Sequence, residues 1–149
     1  MKKSLLFISS VVLSVAMIGC TTTETEATMS STTTTEAMNM QSISGSVAYR
    51  QRIALPDHAV VSVTLEDISL ADKAADVIAT DSFVTGGKQV PFSFKLDYDA
   101  NKILPKHTYN VRAKITVDGK LRFITDTITP VITDQAETQT VHLMMIGVK

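Results

Sequence analysis

TYNVRAKITVDGKLRFITD, Thr108 to Asp126, is the stretch that decides the fold. Its first half alternates without a break. Tyr109, Val111, Ala113 and Ile115 fall on one side, and Asn110, Arg112, Lys114 and Thr116 on the other. A period of two marks a β-strand with one apolar and one wet face. The Asp-Gly pair then marks a reversal. A two-residue Asp118-Gly119 loop would set Val117 against Lys120 and turn Leu121 and Phe123 outward. A three-residue loop, Val117 to Gly119, pairs Thr116 with Lys120 and brings Leu121 and Phe123 inward, with Gly119 at the left-handed position of a bulge. A one-residue slip exposes a whole apolar set, so the three-residue loop is the expected one, although it sets Lys114 against Arg122.

The same period recurs on both sides. AVVSVTLED, Ala59 to Asp67, aligns Val61, Val63 and Leu65. VPFSFKLDY, Val90 to Tyr98, aligns Val90, Phe92, Phe94, Leu96 and Tyr98. Shorter candidates run over 43–49, 77–84, 121–128 and 138–148. About seven strands with clean alternation predict an all-β domain over 43–149, an antiparallel two-sheet β-sandwich. Pro91 cannot donate to a ladder, which places its strand at an edge or a bulge. ISLADKAAD, Ile68 to Asp76, has helical character and could form a short crossing element.

The N-terminal part reads differently. Lys2 and Lys3 precede 14 apolar-rich residues, Leu5 to Ile18, and then Gly19 and Cys20. The run is short for a membrane span, which takes about 20 residues, and fits the apolar region of a signal peptide. A small residue directly before a cysteine resembles a bacterial lipobox, in which signal cleavage before Cys20 accompanies acylation of its sulfur and new amine. By the same resemblance, Thr21 after the cysteine implies export to the outer membrane. Several acyl chains anchor far better than one, at about 0.8 kcal/mol per buried CH₂. Residues 1–19 are thus the expected signal and Cys20 the expected lipidation site. Residues 20–42, with TTTETEATMSSTTTTEAMNMQS after the cysteine, form a polar, flexible tether with a stretched reach of about 75 Å.

Composition excludes several functions. The chain of 149 residues carries 14 basic and 15 acidic side chains, and loss of Lys2 and Lys3 leaves 12 against 15. Nucleic-acid binding and adhesion to anionic lipid both need a basic excess. One cysteine permits no internal disulfide. Asp97, Asp99 and Asn101 have the opening spacing of a calcium loop, but Lys102 stands where glycine is required and Thr108 where glutamate is. His58, His107 and His142 lack metal-ligand spacing and read as strand-end or outward residues. Met29, Met38 and Met40 are irregularly spaced and read as passive. No phosphate loop or nucleophile elbow is present. The reading is a non-enzymatic chain without metal or cofactor.

Blocks across the domain resemble one family. SISGSVAYRQRIALPDHAVVSVTLEDIS, Ser42 to Ser69, has Gly45, Val47, Tyr49 and Arg52, then Leu55-Pro56, then a strand ending at Asp67. With QVPFSFKLDYD and YNVRAKITVDGKLRFITD it resembles YbaY-type lipoprotein domains, in a wider family with the YscW-type lipoproteins of type III secretion. The second proline usual after Leu-Pro is Asp57 here. The resemblance implies a small β-sandwich and a pilotin-like partner, a secretin or other envelope protein helped to the outer membrane. The partner would dock by strand addition at an exposed edge or into an apolar groove. A second reading, from the looser association of YbaY-type members, is a glycan-associated envelope protein. It would need aromatic platforms, and an enzymatic version would need clustered carboxylates such as Asp97, Asp99 and Asp126.

Overall fold

The structure is a computed structural model and describes residues 38–149. The elements run β1 (Met40–Tyr49), β2 (Val60–Asp67), β3 (Asp76–Val84), β4 (Phe92–Asp99), a 3₁₀ turn (Ala100–Lys102), β5 (Tyr109–Val117), β6 (Lys120–Thr125), β7 (Pro130–Val131) and β8 (Thr140–Gly147). The expected strands are present, and β1 begins at Met40, inside the stretch assigned to the tether. Residues 68–75 hold turns instead of the short helix considered for 68–76, whose last residue, Asp76, begins β3. The Asp67 carboxylate accepts from the Ser69 amide and hydroxyl, and such local bonds compete with a helix already too short to be stable.

The strands do not divide into two sheets. One sheet runs in the order β3-β2-β5-β6-β8-β1-β4, with β7 pairing β5, and it curls until its two end strands face each other. The expected sandwich is corrected to a nearly closed barrel. Alternation is the same in both architectures, because either gives each strand one buried and one wet face. The expectation of a wholly antiparallel sheet is also corrected. β1 pairs β8 in parallel, Val47 opposite Leu143, and β4 antiparallel on its other side. Pro91 leads into β4, an edge strand as read.

Ile43, Val61, Val63, Leu65, Val111 and Ile115 are fully enclosed at the centre. Tyrosine hydroxyls reach the rim of the core. Tyr98 donates to Gln41 Oε1 at 3.0 Å, Tyr109 accepts from the Leu104 amide at 2.9 Å, and Tyr49 donates to the Ile53 carbonyl at 2.6 Å. Burial raises the Tyr49 and Tyr98 hydroxyls above their usual pKa. Gln89 bonds the amide and carbonyl of Leu55 through its side-chain amide, so the 50–59 segment is pinned across one end of the barrel.

The β5–β6 hairpin departs from the expected register. Val117 pairs Lys120, so the loop is the two-residue Asp118-Gly119, with φ of 52° and 73° as a type I′ turn requires. Thr116 pairs Leu121 and Ile115 pairs Phe123, which leaves Arg122 as the extra residue of a β-bulge. The bulge resets the phase, so Phe123 is buried while Leu121 stays outside. Lys114 lies opposite Ile124, and the feared contact with Arg122 does not arise.

The strand expected over 121–128 stops at Thr125. There the Thr125 hydroxyl accepts from the Ala113 amide at 3.1 Å, and β5 continues its pairing with β7. Asn110, expected outward, is buried because its side-chain carbonyl accepts from the Thr129 amide at 2.7 Å.

Candidate partner-binding face

The chemistry-bearing residues do not converge. Cys20 and Met29 lie outside the described residues, while Met38 and Met40 are exposed. Asp99 accepts from the Asn101 amide and caps the 3₁₀ turn, and Asp97 pairs with Lys95 at 2.7 Å. Ser42 is opposite Asp97, whereas Asp126 follows Thr125, which is level with Met145 and Tyr49. Ser42 to Tyr49 spans about 23 Å along β1, so these carboxylates are too far apart to share a substrate. His58 precedes β2 and reaches Asp118 at 3.1 Å, and His142 faces outward on β8 with Nδ1 2.8 Å from Ser46 Oγ. Among the described residues no three His, Cys, Asp or Glu side chains are placed to hold a metal ion.

His107 stands before β5, with Nδ1 2.6 Å from Asp67 Oδ2, while the Ser69 hydroxyl donates to Asp67 Oδ1 and accepts from the Thr108 amide. These bonds tie the end of β2 to the start of β5. Burial works against the Asp67 charge, but the hydrogen bonds from Ser69 and His107 together outweigh it and hold the carboxyl below its usual pKa. A depressed folded pKa adds stability above the ordinary Asp value of about 3.9, lost as pH falls through the folded value. Asp67→Asn should therefore cost about 1–2 kcal/mol at pH 7. Urea titrations at pH 7 and stepwise into acid should show the gap from the parent narrowing only as pH falls below the ordinary Asp value of about 3.9. An equal gap would show that packing, not charge, carries the effect.

Two surface features remain for a partner. The first is the seam between β3 and β4. The Phe83 and Phe92 rings meet edge to face there at 6.0 Å, beside a cleft of about 440 Å³. Both strands carry unpaired backbone groups along it. The seam is not an open edge, however. The Asp81 carboxylate accepts from the Lys95 amide at 3.4 Å, and Pro91 stands at its mouth. A side-chain charge and a proline at an edge are devices that prevent strand addition.

The second is the outer face of β6 and β8. Ile124 lies opposite Ile146, with Met144 on β8, Val148 just beyond its end and Leu121 on β6. Met144 and Ile146 are 46% and 44% exposed, too open for core positions and adjacent enough to form one strip. A groove of about 360 Å³ runs beside it, between Arg50, Gln51, Asp126, Thr127, Met144 and Ile146. Sequence reasoning placed Leu121 inside. It read Met144 and Met145 as core and face residues of a last strand, soft enough for an adaptable contact surface. The structure buries Met145 and exposes Met144, but the joining of Met144 to β6 was not foreseen. The signal was present in LMMIGV, Leu143 to Val148, which is apolar in both phases of the alternation.

Charge is divided between the barrel ends. The end formed by the 50–59 and 85–91 segments, the hairpin turn and the C-terminus carries Arg50, Arg52, Lys88, Lys120, Arg122 and Lys149 against Asp57 and Asp118. The opposite end, where β1 begins, holds Asp67, Asp72, Asp76, Asp99, Asp134 and Glu137 against Lys73, Lys102 and Lys106.

A family model described as "Type III secretion system lipoprotein chaperone (YscW)" matches residues 38–145, nearly the whole described domain. The chain belongs to the YscW family. It is 46% identical over 102 residues to the uncharacterized lipoprotein YbaY of Escherichia coli strain K12, a match covering 68% of this chain and 54% of that relative. The chain thus spans about half the length of the curated relative it matches. Among solved structures it is similar to an alternative pilotin from the type II secretion system of Vibrio cholerae. That similarity has a TM-score of 0.72 and 61% identity, and covers 74% of this chain and 98% of the pilotin chain. The family assignment agrees with the resemblance carried by Gly45, Val47, Tyr49, Arg52 and the strand ending at Asp67.

Proposed function

We propose that this YscW-family chain is a lipoprotein chaperone of the pilotin kind. Acyl chains on Cys20 hold it at the outer membrane, the Thr-rich segment tethers it, and the barrel binds a secretion or envelope protein without catalysis. The observation that carries the reading is the 61% identity to an alternative pilotin over 98% of that pilotin's length. A tethered domain raises its effective concentration against a partner passing through the same compartment, so modest affinity suffices. The glycan reading draws no support from the fold. Tyr49, Tyr98 and Tyr109 are the chain's three tyrosines, all are buried, and Trp is absent, so none provides an exposed stacking platform.

The test compares a deletion strain with one expressing Cys20→Ser, followed by membrane fractionation. The parent chain should fractionate with outer membranes and the C20S chain should not. Assembled secretin in the outer membrane should fall by about tenfold or more in both strains if delivery depends on the anchor. Normal secretin assembly in the deletion strain would refute the reading.

A further inference from the structure

We infer that the basic end of the barrel docks on an anionic phospholipid surface, with the acidic end, where β1 begins, turned away from the bilayer. The inference rests on the Cys20 anchor of the proposed function. It goes beyond that reading by giving the folded domain its own contact with the membrane and a fixed orientation. The whole chain has no basic excess, and on that ground its composition argued against adhesion to anionic lipid. The fold changes the balance locally. Even without Lys149, the 50–59 and 85–91 segments and the β5–β6 hairpin present Arg50, Arg52, Lys88, Lys120 and Arg122 against Asp57 and Asp118. Asp126 lies beside Arg50 in the side groove, and Asp118 is already engaged by His58 at 3.1 Å. All five cations are exposed, and none has a carboxylate within 4.0 Å among the described residues. The opposite end has the reverse balance, six acids against three lysines, so an anionic surface attracts one end and repels the other.

Apolar side chains stand among these cations. Ile53 and Val84 are 50% and 60% exposed. Ile53 shares a pocket of about 180 Å³ with Lys120 and Arg122, and Val84 lines the seam cleft with Lys88. Cations that meet phosphates beside apolar groups that enter the acyl boundary are what a bilayer surface selects. A protein partner is less well matched, because Ile53 and Val84 line different pockets and form no single apolar centre for an interface. The chain outside the barrel permits this orientation. β1 runs from the acidic end to the basic end over 10 residues, about 33 Å along the strand and about 25 Å along a barrel axis at the usual strand tilt. A flexible segment from Cys20 to Met40 has an r.m.s. span of about 25 Å and a stretched reach of about 70 Å. It can therefore pass along the barrel and let the basic end meet the leaflet that holds the acyl chains. Tethering keeps the domain close to the surface, so a weak attraction suffices.

The experiment reconstitutes the full acylated chain in vesicles of phosphatidylcholine, alone or with about 30% phosphatidylglycerol, that carry a headgroup quencher. A fluorophore is placed by Ala54→Cys at the basic end or by Ala71→Cys at the acidic end, both exposed positions. On the anionic vesicles the label at 54 should be quenched about fivefold more than the label at 71. Lys120→Glu with Arg122→Glu, or separately Arg52→Glu with Lys88→Glu, should bring the ratio to about one. So should 1 M salt, where the Debye length is about 3 Å. Lys102→Glu with Lys106→Glu at the acidic end should leave it unchanged. Deletion of residues 22–36 leaves about 17 Å of chain before Met40, too short to pass the barrel, and should also abolish the difference while the anchor remains. Equal quenching at both positions, quenching at 54 that is the same without phosphatidylglycerol, or a ratio indifferent to charge reversal would overturn the inference. In living cells a photo-crosslinker at Ala54 should capture lipid, and capture of an acidic protein instead would also overturn it. Mass spectrometry of the purified chain separates this claim from the one beneath it. An unacylated Cys20 sinks the anchor and the docking together, whereas equal quenching on an acylated chain sinks the docking alone.

Discussion

Gly45→Ala is expected to destabilise the barrel by about 3 kcal/mol or more, which corresponds to a fall in Tm of about 12 °C or more for a domain of this size. Gly45 lies between the buried residues Ile43 and Val47 on β1, where β1 is held between β4 and the parallel strand β8. A Cβ at this position would sit 1.9 Å from the Val141 carbonyl oxygen, 2.9 Å from its carbon and 3.1 Å from the tip of the Phe94 ring. The first two atoms are backbone of a paired strand and cannot rotate away. Relief requires β1 and β8 to part by about 1 Å or more, which weakens their ladder and the Val47–Leu143 packing beside it. Gly119→Asn is the control. That position has a positive φ that Asn tolerates, and nothing lies within 4 Å of its Cβ, so the change should cost less than about 1 kcal/mol. Thermal unfolding of both variants against the parent decides the matter. A Gly45→Ala protein melting within about 3 °C of the parent would mean that β1 and β8 are not packed as described.

The contrast between Gly45 and the alternating strands explains what the sequence could and could not convey. Val61, Val63 and Leu65 announced their burial because period two is a local property of one strand. Which strand lies beside which is not local. Nothing in SISGSVAY or TVHLMMIG states that these segments run side by side in parallel, and so a curled single sheet was read as two stacked ones. Polar burial was hidden for a similar reason. Asn110 occupies an outward phase and is buried only because the 127–131 segment folds over it to reach its amide oxygen. Cys20 is a different case, since its proposed lipidation rests on neighbouring residues in the chain alone and it lies outside the described residues. The apolar strip on β6 and β8 was half legible. LMMIGV displays apolar residues in both phases, but that Ile146 lies beside Ile124 of β6 requires the register.

That register can be tested by a pair of truncations with opposite expected outcomes. Phe123→Ala should cost about 3–5 kcal/mol and Leu121→Ala less than about 1 kcal/mol. Under the three-residue loop, with its bulge at Gly119 and none at Arg122, both side chains would point inward and both truncations would be severe. In the observed hairpin the Arg122 bulge separates them. Phe123 is buried and stacks on Tyr49 with ring centroids 4.1 Å apart and planes 13° from parallel, whereas Leu121 is 38% exposed beyond the bulge. Removing the Phe123 ring opens a cavity beneath the pinned 50–59 segment, because Tyr49 loses its stacking partner while its hydroxyl stays bound to the Ile53 carbonyl. The damage should therefore extend beyond the hairpin. Amide exchange at Gln51 to Leu55 should quicken in Phe123→Ala and remain at parental rates in Leu121→Ala. Equal losses of stability in the two variants would restore the three-residue register. They would also move Leu121 out of the exposed apolar strip on β6 and β8.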